Sequence, residues 1–229
     1  AWPGVQMKPC RLWAIVARPE VEADLATAKV VEQNRPTAVL ALGDLQYEHG
    51  EYRNFLGAYD HSWGRFKNLT RPVRRLAFPV FGRQAGNPAK GYYSFDIGPW
   101  HAIALDSNCG AAGAPSCAHG SAQWAWLKHD LTSHHQRCTL AFFHHSYRSS
   151  TGAHTGKAEL KHLHAPWTVI AGTGGRSLVP ITSVHPNSVA RAAIFGVWSG
   201  GRFAFFRWWA IGTALLATIL LGCRLRGGQ

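Results

Sequence analysis

The run Ala38-Val39-Leu40-Ala41-Leu42, entered through Thr37 and closed by Gly43-Asp44, constrains this chain more than any other stretch. An unbroken apolar run that short, ended by a glycine, is the pattern of a strand buried on both faces, in a sheet covered by helices. Asp44 then stands at the strand's carboxyl end, where loops splay apart and side chains converge on ligands. A carboxylate there suits a metal or phosphate site, and it equally suits a turn aspartate that bonds its own backbone. A second apolar strand, Cys138-Thr139-Leu140-Ala141-Phe142-Phe143, runs into His144-His145 and tips the reading toward a site built from two strand ends.

The 229 residues are enough for one sizeable core, so residues 1–200 read as one domain and 201–229 as an apolar tail. A formal charge of +12, from 24 Lys and Arg against 12 Asp and Glu, attracts anions such as phosphate esters, nucleic acid or acidic membrane surfaces. The arginines are scattered, with no basic run and no aromatic and basic interleaving, which argues against nucleic acid as the partner. Carboxylates are scarce beside 13 histidines, so a cation cage must lean on imidazole. That favours zinc, iron or manganese over calcium. Of the five cysteines, Cys109 and Cys117 bracket a glycine- and alanine-rich loop, and a local disulfide between them would suit an extracytoplasmic or secreted protein. The odd count leaves a thiol over. The chain opens Ala1-Trp2-Pro3 without an initiator Met or a basic-then-apolar leader, and reads as a mature product or a fragment.

Along the chain, Leu12 to Ala17 is expected as a first strand, and a helix from about Glu20 to Gln33 follows, with Val21, Leu25, Ala28 and Val31 at helical spacing. Strand, helix and the Ala38 strand make one βαβ unit. Tyr52, Phe55, Tyr59, Trp63 and Phe66 recur at roughly helical intervals and are expected in the core. Turn signals at Asn87-Pro88, Gly91 and Gly98-Pro99 predict a hairpin of Tyr92 to Asp96 with His101 to Leu105. Ser121 caps a helix whose Trp124, Leu127 and Leu131 share one face. Thr168 to Ala171 is a further strand. It ends in Gly172-Thr173-Gly174-Gly175-Arg176, which lacks the Lys-Ser/Thr of a phosphate-cradling loop.

From Phe203 to Cys223 the chain is apolar apart from Arg207, with Trp208 and Trp209 near one end and Arg224 and Arg226 beyond the other. That length can cross a bilayer as a helix, with Trp and Arg as interfacial anchors, and it can equally be a buried segment or an accident of reading frame.

Phosphate-ester hydrolysis needs a water made nucleophilic near neutral pH and positive charge over the leaving oxygen, which two metal ions roughly 3.5–4 Å apart supply together. A carboxylate bridges two ions naturally, and Asp44 is the candidate. His144 offers a neutral imidazole to one ion. Its neighbour His145 points elsewhere, to donate a proton or hold a phosphate oxygen, and is the candidate catalytic residue. Tyr47 can give a phenolate to a trivalent ion, or simply plug its loop onto the core.

Gly43-Asp44-Leu45-Gln46-Tyr47 resembles the GDxxY motif of the calcineurin-like metallophosphoesterases, in the form that purple acid phosphatases share. Ala38 to Tyr47, Tyr59-Asp60 through Phe66, Gly86 to Asn108, Gly120 to Leu131, Cys138 through His145 and Gly172 to Leu178 are similar to secreted bacterial members of that superfamily. Together these runs cover about two thirds of the chain. The resemblance implies an α/β fold of two mixed β-sheets packed as a sandwich flanked by helices, with a dinuclear iron, zinc or manganese site at the sheet edges. It implies Asp44 as the bridging ligand, Tyr47 as an iron ligand, His144 as a ligand after the later strand, and His145 beside the metals.

Three family motifs are absent. Leu12 to Ala17 runs into Arg18 instead of an aspartate, Arg71-Pro72-Val73 leads to Arg74-Arg75-Leu76 instead of a GNH motif, and no GHxH motif follows. His162-Leu163-His164 has the spacing of that last pair but precedes its strand. Matching runs alternate with unrelated ones at 74–85, at 156–165 and after Val197, the pattern left by frame changes or an internal deletion in the coding sequence. Two functions are therefore expected from the sequence: a metal-dependent phosphoesterase using a metal-activated water, or a non-catalytic, degenerate remnant of that fold, membrane-attached if 203–223 spans a bilayer. A weaker third is a basic surface-binding protein without metal.

Overall fold

The computed structural model describes residues 12–15, 21–45, 51–57, 59–73, 78–145, 160, 167–171, 194–199, 202–207 and 217–223, with backbone alone for 12–15, for 21–23, for Phe78 and for everything beyond 160. Tyr47, Arg18, the 172–176 loop, His154, His162 and His164 lie outside the described residues.

The first sheet is parallel, with β1 (Leu12–Ile15), β2 (Ala38–Ala41) and β3 (Thr70–Pro72) side by side in that order. Helix α1 (Val21–Gln33) makes the crossover from β1 to β2, as the βαβ pattern requires. The second sheet is mixed, in the order β4-β5-β6-β10-β7. Its strands are β4 (Tyr93–Ile97), β5 (Trp100–Ala104), β6 (Cys138–Phe143), β7 (Trp167–Ala171) and β10 (Ala217–Cys223). β4 and β5 form the expected hairpin, with Tyr93 opposite Ala104. A two-stranded ribbon pairs β8 (Ile194–Ser199) with β9 (Arg202–Arg207). The expected α/β sandwich is present, although only the larger of its two main sheets mixes strand directions.

Side-chain alternation explains the layers. Leu40 and Leu42 from the first sheet pack with Trp100, Ala102, Ala104, Leu140 and Phe142 of the second, forming the core between the sheets. Val39 and Ala41, one residue out of phase, face the opposite way. There they meet Ala28 and Val31 of α1 together with Phe55, Tyr59, Trp63, Phe66, Phe81 and Ala85. The aromatics come from α2 (Tyr52–Gly57), α3 (Tyr59–Ser62), Trp63 that follows it, the 3₁₀ turn Gly64–Leu69 and α4 (Phe78–Phe81). Four of the five aromatics expected in the core are buried there. Tyr52 is 53% exposed, because it is at the start of its short helix. On the far side of the second sheet, Ile103, Leu105 and Phe143 pack against Leu127 and Trp126 of α5 (Ala122–Ser133).

Ser121 caps α5 as its sequence suggests, accepting the Trp124 N–H at 3.3 Å. The buried face of that helix differs from the expected one. Leu131 is exposed at 39%, whereas Gln123 and Asp130 are buried. Hydrogen bonding decides this: Gln123 Nε2 donates to the Asp106 carbonyl at 3.0 Å, and Asp130 accepts the Ser94 hydroxyl at 2.7 Å. Cys109 and Cys117 form the expected disulfide, and Cys138 is disulfide-bonded as well.

The tail overturns the helical expectation for 203–223. Arg202–Arg207 and Ala217–Cys223 are strands, and β10 lies antiparallel between β6 and β7 in the larger sheet. No helix among the described residues is long and apolar enough to cross a membrane. A short apolar run reads alike as buried strand or helix segment, and pairing on both edges satisfies the backbone of β10 without water.

Buried polar groups bind the layers at the end of the sandwich where β6 begins. His101, 2% exposed, lies between two carboxylates, with Nδ1 2.7 Å from Asp96 Oδ1 and Nε2 2.7 Å from Asp130 Oδ2. Gln136 donates to the other Asp96 oxygen, and the His134 ring stacks on His101 at 4.0 Å. At the opposite end, level with Phe142, Tyr93 of β4 donates to the Pro72 carbonyl of β3 at 2.9 Å, and burial raises its pKa, keeping it a neutral donor. Removing Asp130 leaves the buried groups that bond to it, the Ser94 hydroxyl and His101 Nε2, without their acceptor. Asp130→Ala is therefore expected to destabilise the fold by about 1–3 kcal/mol, read as a lower urea midpoint with an unchanged denaturant slope.

Candidate metal and phosphate site

Both strand ends singled out in the sequence leave the sandwich at the same edge, because Leu42 and Phe142 pack into the same core. After Leu42 the backbone turns through Gly43 at φ 127° and Asp44 at φ 54°. Asp tolerates the left-handed region better than most residues. The turn swings its carboxylate back across the strand end. Beyond β6 the alternation continues: His144 keeps the phase of Leu140 and Phe142, on the side of the first sheet, and His145 keeps that of Ala141 and Phe143.

The His144 ring lies against Gly43. Its Nδ1–H donates to the Leu42 carbonyl at 3.0 Å, which fixes the tautomer and turns the Nε2 lone pair toward Asp44. Nε2 is 3.4 Å from Asp44 Oδ2, and both side chains are only 13% exposed. Asp44 Oδ2 is buried and accepts no hydrogen bond. Such an oxygen is costly unless a cation or donor meets it. Two ligand atoms each about 2.0–2.2 Å from one tetrahedral ion stand about 3.4 Å apart, so this pair fits a shared ion of the zinc type. A methyl group at Gly43 would sit 2.6 Å from His144 Nδ1, which is why this position takes glycine.

His145 forms the outer half of the edge. Its ring centroid is 4.7 Å from that of His144, at 72°. Its backbone N–H donates to Ser107 Oγ at 2.8 Å, and its Nδ1 lies 3.3 Å from the same hydroxyl. Ser107 follows β5 in a loop held firmly to α5. Asp106 N–H donates to Gln123 Oε1 at 2.9 Å, and Asn108 N–H donates to Asp106 Oδ1 at 2.9 Å. Asp44, His144 and His145 are thus brought together at one edge, with Ser107 beside them. Ser107 and Gln123 were not among the sequence candidates. For Ser107 the available signal was the polar run Asp106-Ser107-Asn108 at another strand's carboxyl end; Gln123 had none.

His101, Asp130 and His134 also bring metal-ligand atom types within 4.8 Å of one another. This donor set lies at the other end of the sheet. His101 pairs with Thr139 near the start of β6, five residues before His144, or about 16 Å at strand rise. Both nitrogens of His101 are already in hydrogen bonds to carboxylates, and its ring is within 16° of parallel to His134. Lone pairs of parallel stacked rings do not converge on one ion. The group therefore reads as a hydrogen-bonded network that holds β4, β5 and α5 together.

No protein-family model matches the chain, and no curated protein sequence matches it. Among solved structures it is similar to purple acid phosphatase PPD1 from yellow lupin (Lupinus luteus) seeds, with a TM-score of 0.55 and 15% identity. The match covers 85% of this chain and 49% of the lupin chain, so the present chain spans about half the length of that protein. At that identity the likeness is one of fold: the chain has a partial metallophosphoesterase-like sandwich.

Gly43→Ala tests the edge. It combines a disfavoured φ with a clash against His144, and is expected to cost about 1–3 kcal/mol and to weaken zinc binding measured by calorimetry. Gly57→Ala, in open space on an exposed helix end, should change neither.

Proposed function

We propose that this chain is a metal-dependent phosphoesterase that hydrolyses phosphate esters. The observation that carries the reading is the buried Asp44 Oδ2, without a hydrogen bond, facing the imidazole Nε2 of a histidine whose other nitrogen is tied to a backbone carbonyl. Those are the donor set and the supporting hydrogen bond of an imidazole-carboxylate metal centre. The fold likeness to a plant phosphatase and a net charge of +12, which draws anionic esters, support it. A bound zinc, iron or manganese ion would supply a water acidic enough to attack phosphorus near neutral pH.

The chain's own residues would share the work. Asp44 and His144 hold the ion, and Tyr47, three residues past Asp44, adds a phenolate if the ion is trivalent. Leu42 keeps His144 in the tautomer that can ligate, and Gly43 leaves room for its ring. His145 faces the phosphate. The Cys109–Cys117 disulfide suits an oxidising compartment, and we place the protein outside the cytoplasm on that ground.

A second reading has its own support. Among the described residues, Asp44 and His144 are the two side chains at this edge whose ligand atoms face one another, and two donors undersupply a dinuclear centre. A remnant that binds one ion without turnover would look the same.

Elemental analysis of the purified protein, run beside hydrolysis of a chromogenic phosphate ester with added zinc, iron or manganese, separates the two readings. Two ions per chain with turnover support the enzyme. One ion without turnover supports the remnant. In either case Asp44→Ala is expected to lower bound metal at least tenfold. Metal content unchanged in that variant would remove Asp44 from the site.

A further inference from the structure

We infer that Ser107 is a positioning residue that holds His145 with its ring proton on Nε2, so that the adjacent histidines carry opposite tautomers. His144 presents a lone pair and His145 presents an N–H, suited to a phosphate oxygen. Only the ligand met by that N–H rests on the phosphoesterase reading. The tautomer stands on geometry alone.

The argument follows the single hydrogen of a buried hydroxyl. Ser107 is 2% exposed. Its Oγ accepts the His145 backbone N–H at 2.8 Å, which uses a lone pair and leaves the hydroxyl hydrogen to be placed. Among the described residues, the acceptor that the hydroxyl meets is Nδ1 of the same histidine, at 3.3 Å. An Nδ1 that accepts leaves the proton of a neutral imidazole on Nε2. One hydroxyl therefore grips both the backbone and the ring of His145. The backbone that carries Ser107 is held, because Asp106 exchanges two hydrogen bonds with Gln123 and accepts the Asn108 N–H.

His144 shows the reverse arrangement: its Nδ1–H donates to Leu42, so its lone pair is on Nε2. The two rings meet nearly edge to face, 4.7 Å apart. One strand end therefore carries an electron-pair donor on the phase that faces Asp44 and a hydrogen-bond donor on the other. An anion that reached a cation at the first would find a donor at the second. The ligand class is a tetrahedral oxyanion, phosphate or its monoester, in which one oxygen accepts from Nε2–H.

The test uses the full chain with zinc present and inorganic phosphate as the probe. Long-range nitrogen-proton NMR of the histidine rings should show His145 as the Nε2–H tautomer in the parent protein and in Ser107→Thr, which keeps the hydroxyl. Ser107→Ala should give a mixture of tautomers and bind phosphate about tenfold more weakly, the loss expected for one hydrogen bond to a charged group. Finding the Nδ1–H tautomer in the parent, or no change on removing the hydroxyl, overturns the inference. That first readout needs no variant to fold. If the tautomers behave as expected while phosphate fails to bind any form, Ser107 keeps its role and the phosphate reading falls instead.

Discussion

Contact between Leu40 and Leu42 of the first sheet and Ala102, Ala104, Leu140 and Phe142 of the second is the constraint on which the rest depends. It sets the spacing and phase of two sheets that share little backbone hydrogen bonding. Fully burying an apolar side chain of this size contributes about 1.5–3 kcal/mol, so this group outweighs any single polar contact nearby. Its main consequence is positional. With Leu42 and Phe142 in one core, the residues that follow each must emerge together, and the hydrogen bond from His144 to the Leu42 carbonyl joins the two strand ends.

The two ends of the sandwich use histidine differently. Where β6 begins, His101 sits between Asp96 and Asp130 with both nitrogens bonded, so every polar atom of its ring is satisfied and it serves cohesion. Where β6 ends, His144 is tied at one nitrogen and faces a carboxylate oxygen without a hydrogen bond at the other. A buried polar group left in that state costs stability, which makes the edge a binding site by the same reasoning that makes the His101 network a structural one.

Much of this was legible in the sequence. The Ala38 strand, the α1 crossover, the hairpin after Gly91, the Ser121 cap and the Cys109–Cys117 bridge each follow from short-range chemistry: apolar runs, turn residues and a capping hydroxyl. The same local rules failed where a short pattern fits two outcomes. Ala217–Cys223 belongs to an apolar stretch long enough for a membrane helix, yet it is a strand, because β6 and β7 offer edges that only the folded sheet creates. The buried face of α5 was misplaced for a similar reason, since Gln123 and Asp130 are drawn inward by partners distant in sequence.

For the site, the sequence by itself determined which residues end each strand: a glycine and an aspartate after one apolar run, two histidines after another. Period-two alternation even assigns the two histidines to opposite faces. Only the tertiary structure decided what those residues meet. Asp44 and His144 are 100 positions apart, and no local rule could bring Nε2 within 3.4 Å of that carboxylate. Gly43 reads locally as a strand-ending turn, and its second purpose, leaving room for the His144 ring, exists only once the sheets have packed. Tautomers, too, are set by partners such as Leu42 and Ser107, which lie about 100 and 38 residues from their histidines. Strand ends are a local property of the chain, whereas a ligand sphere is a property of packing.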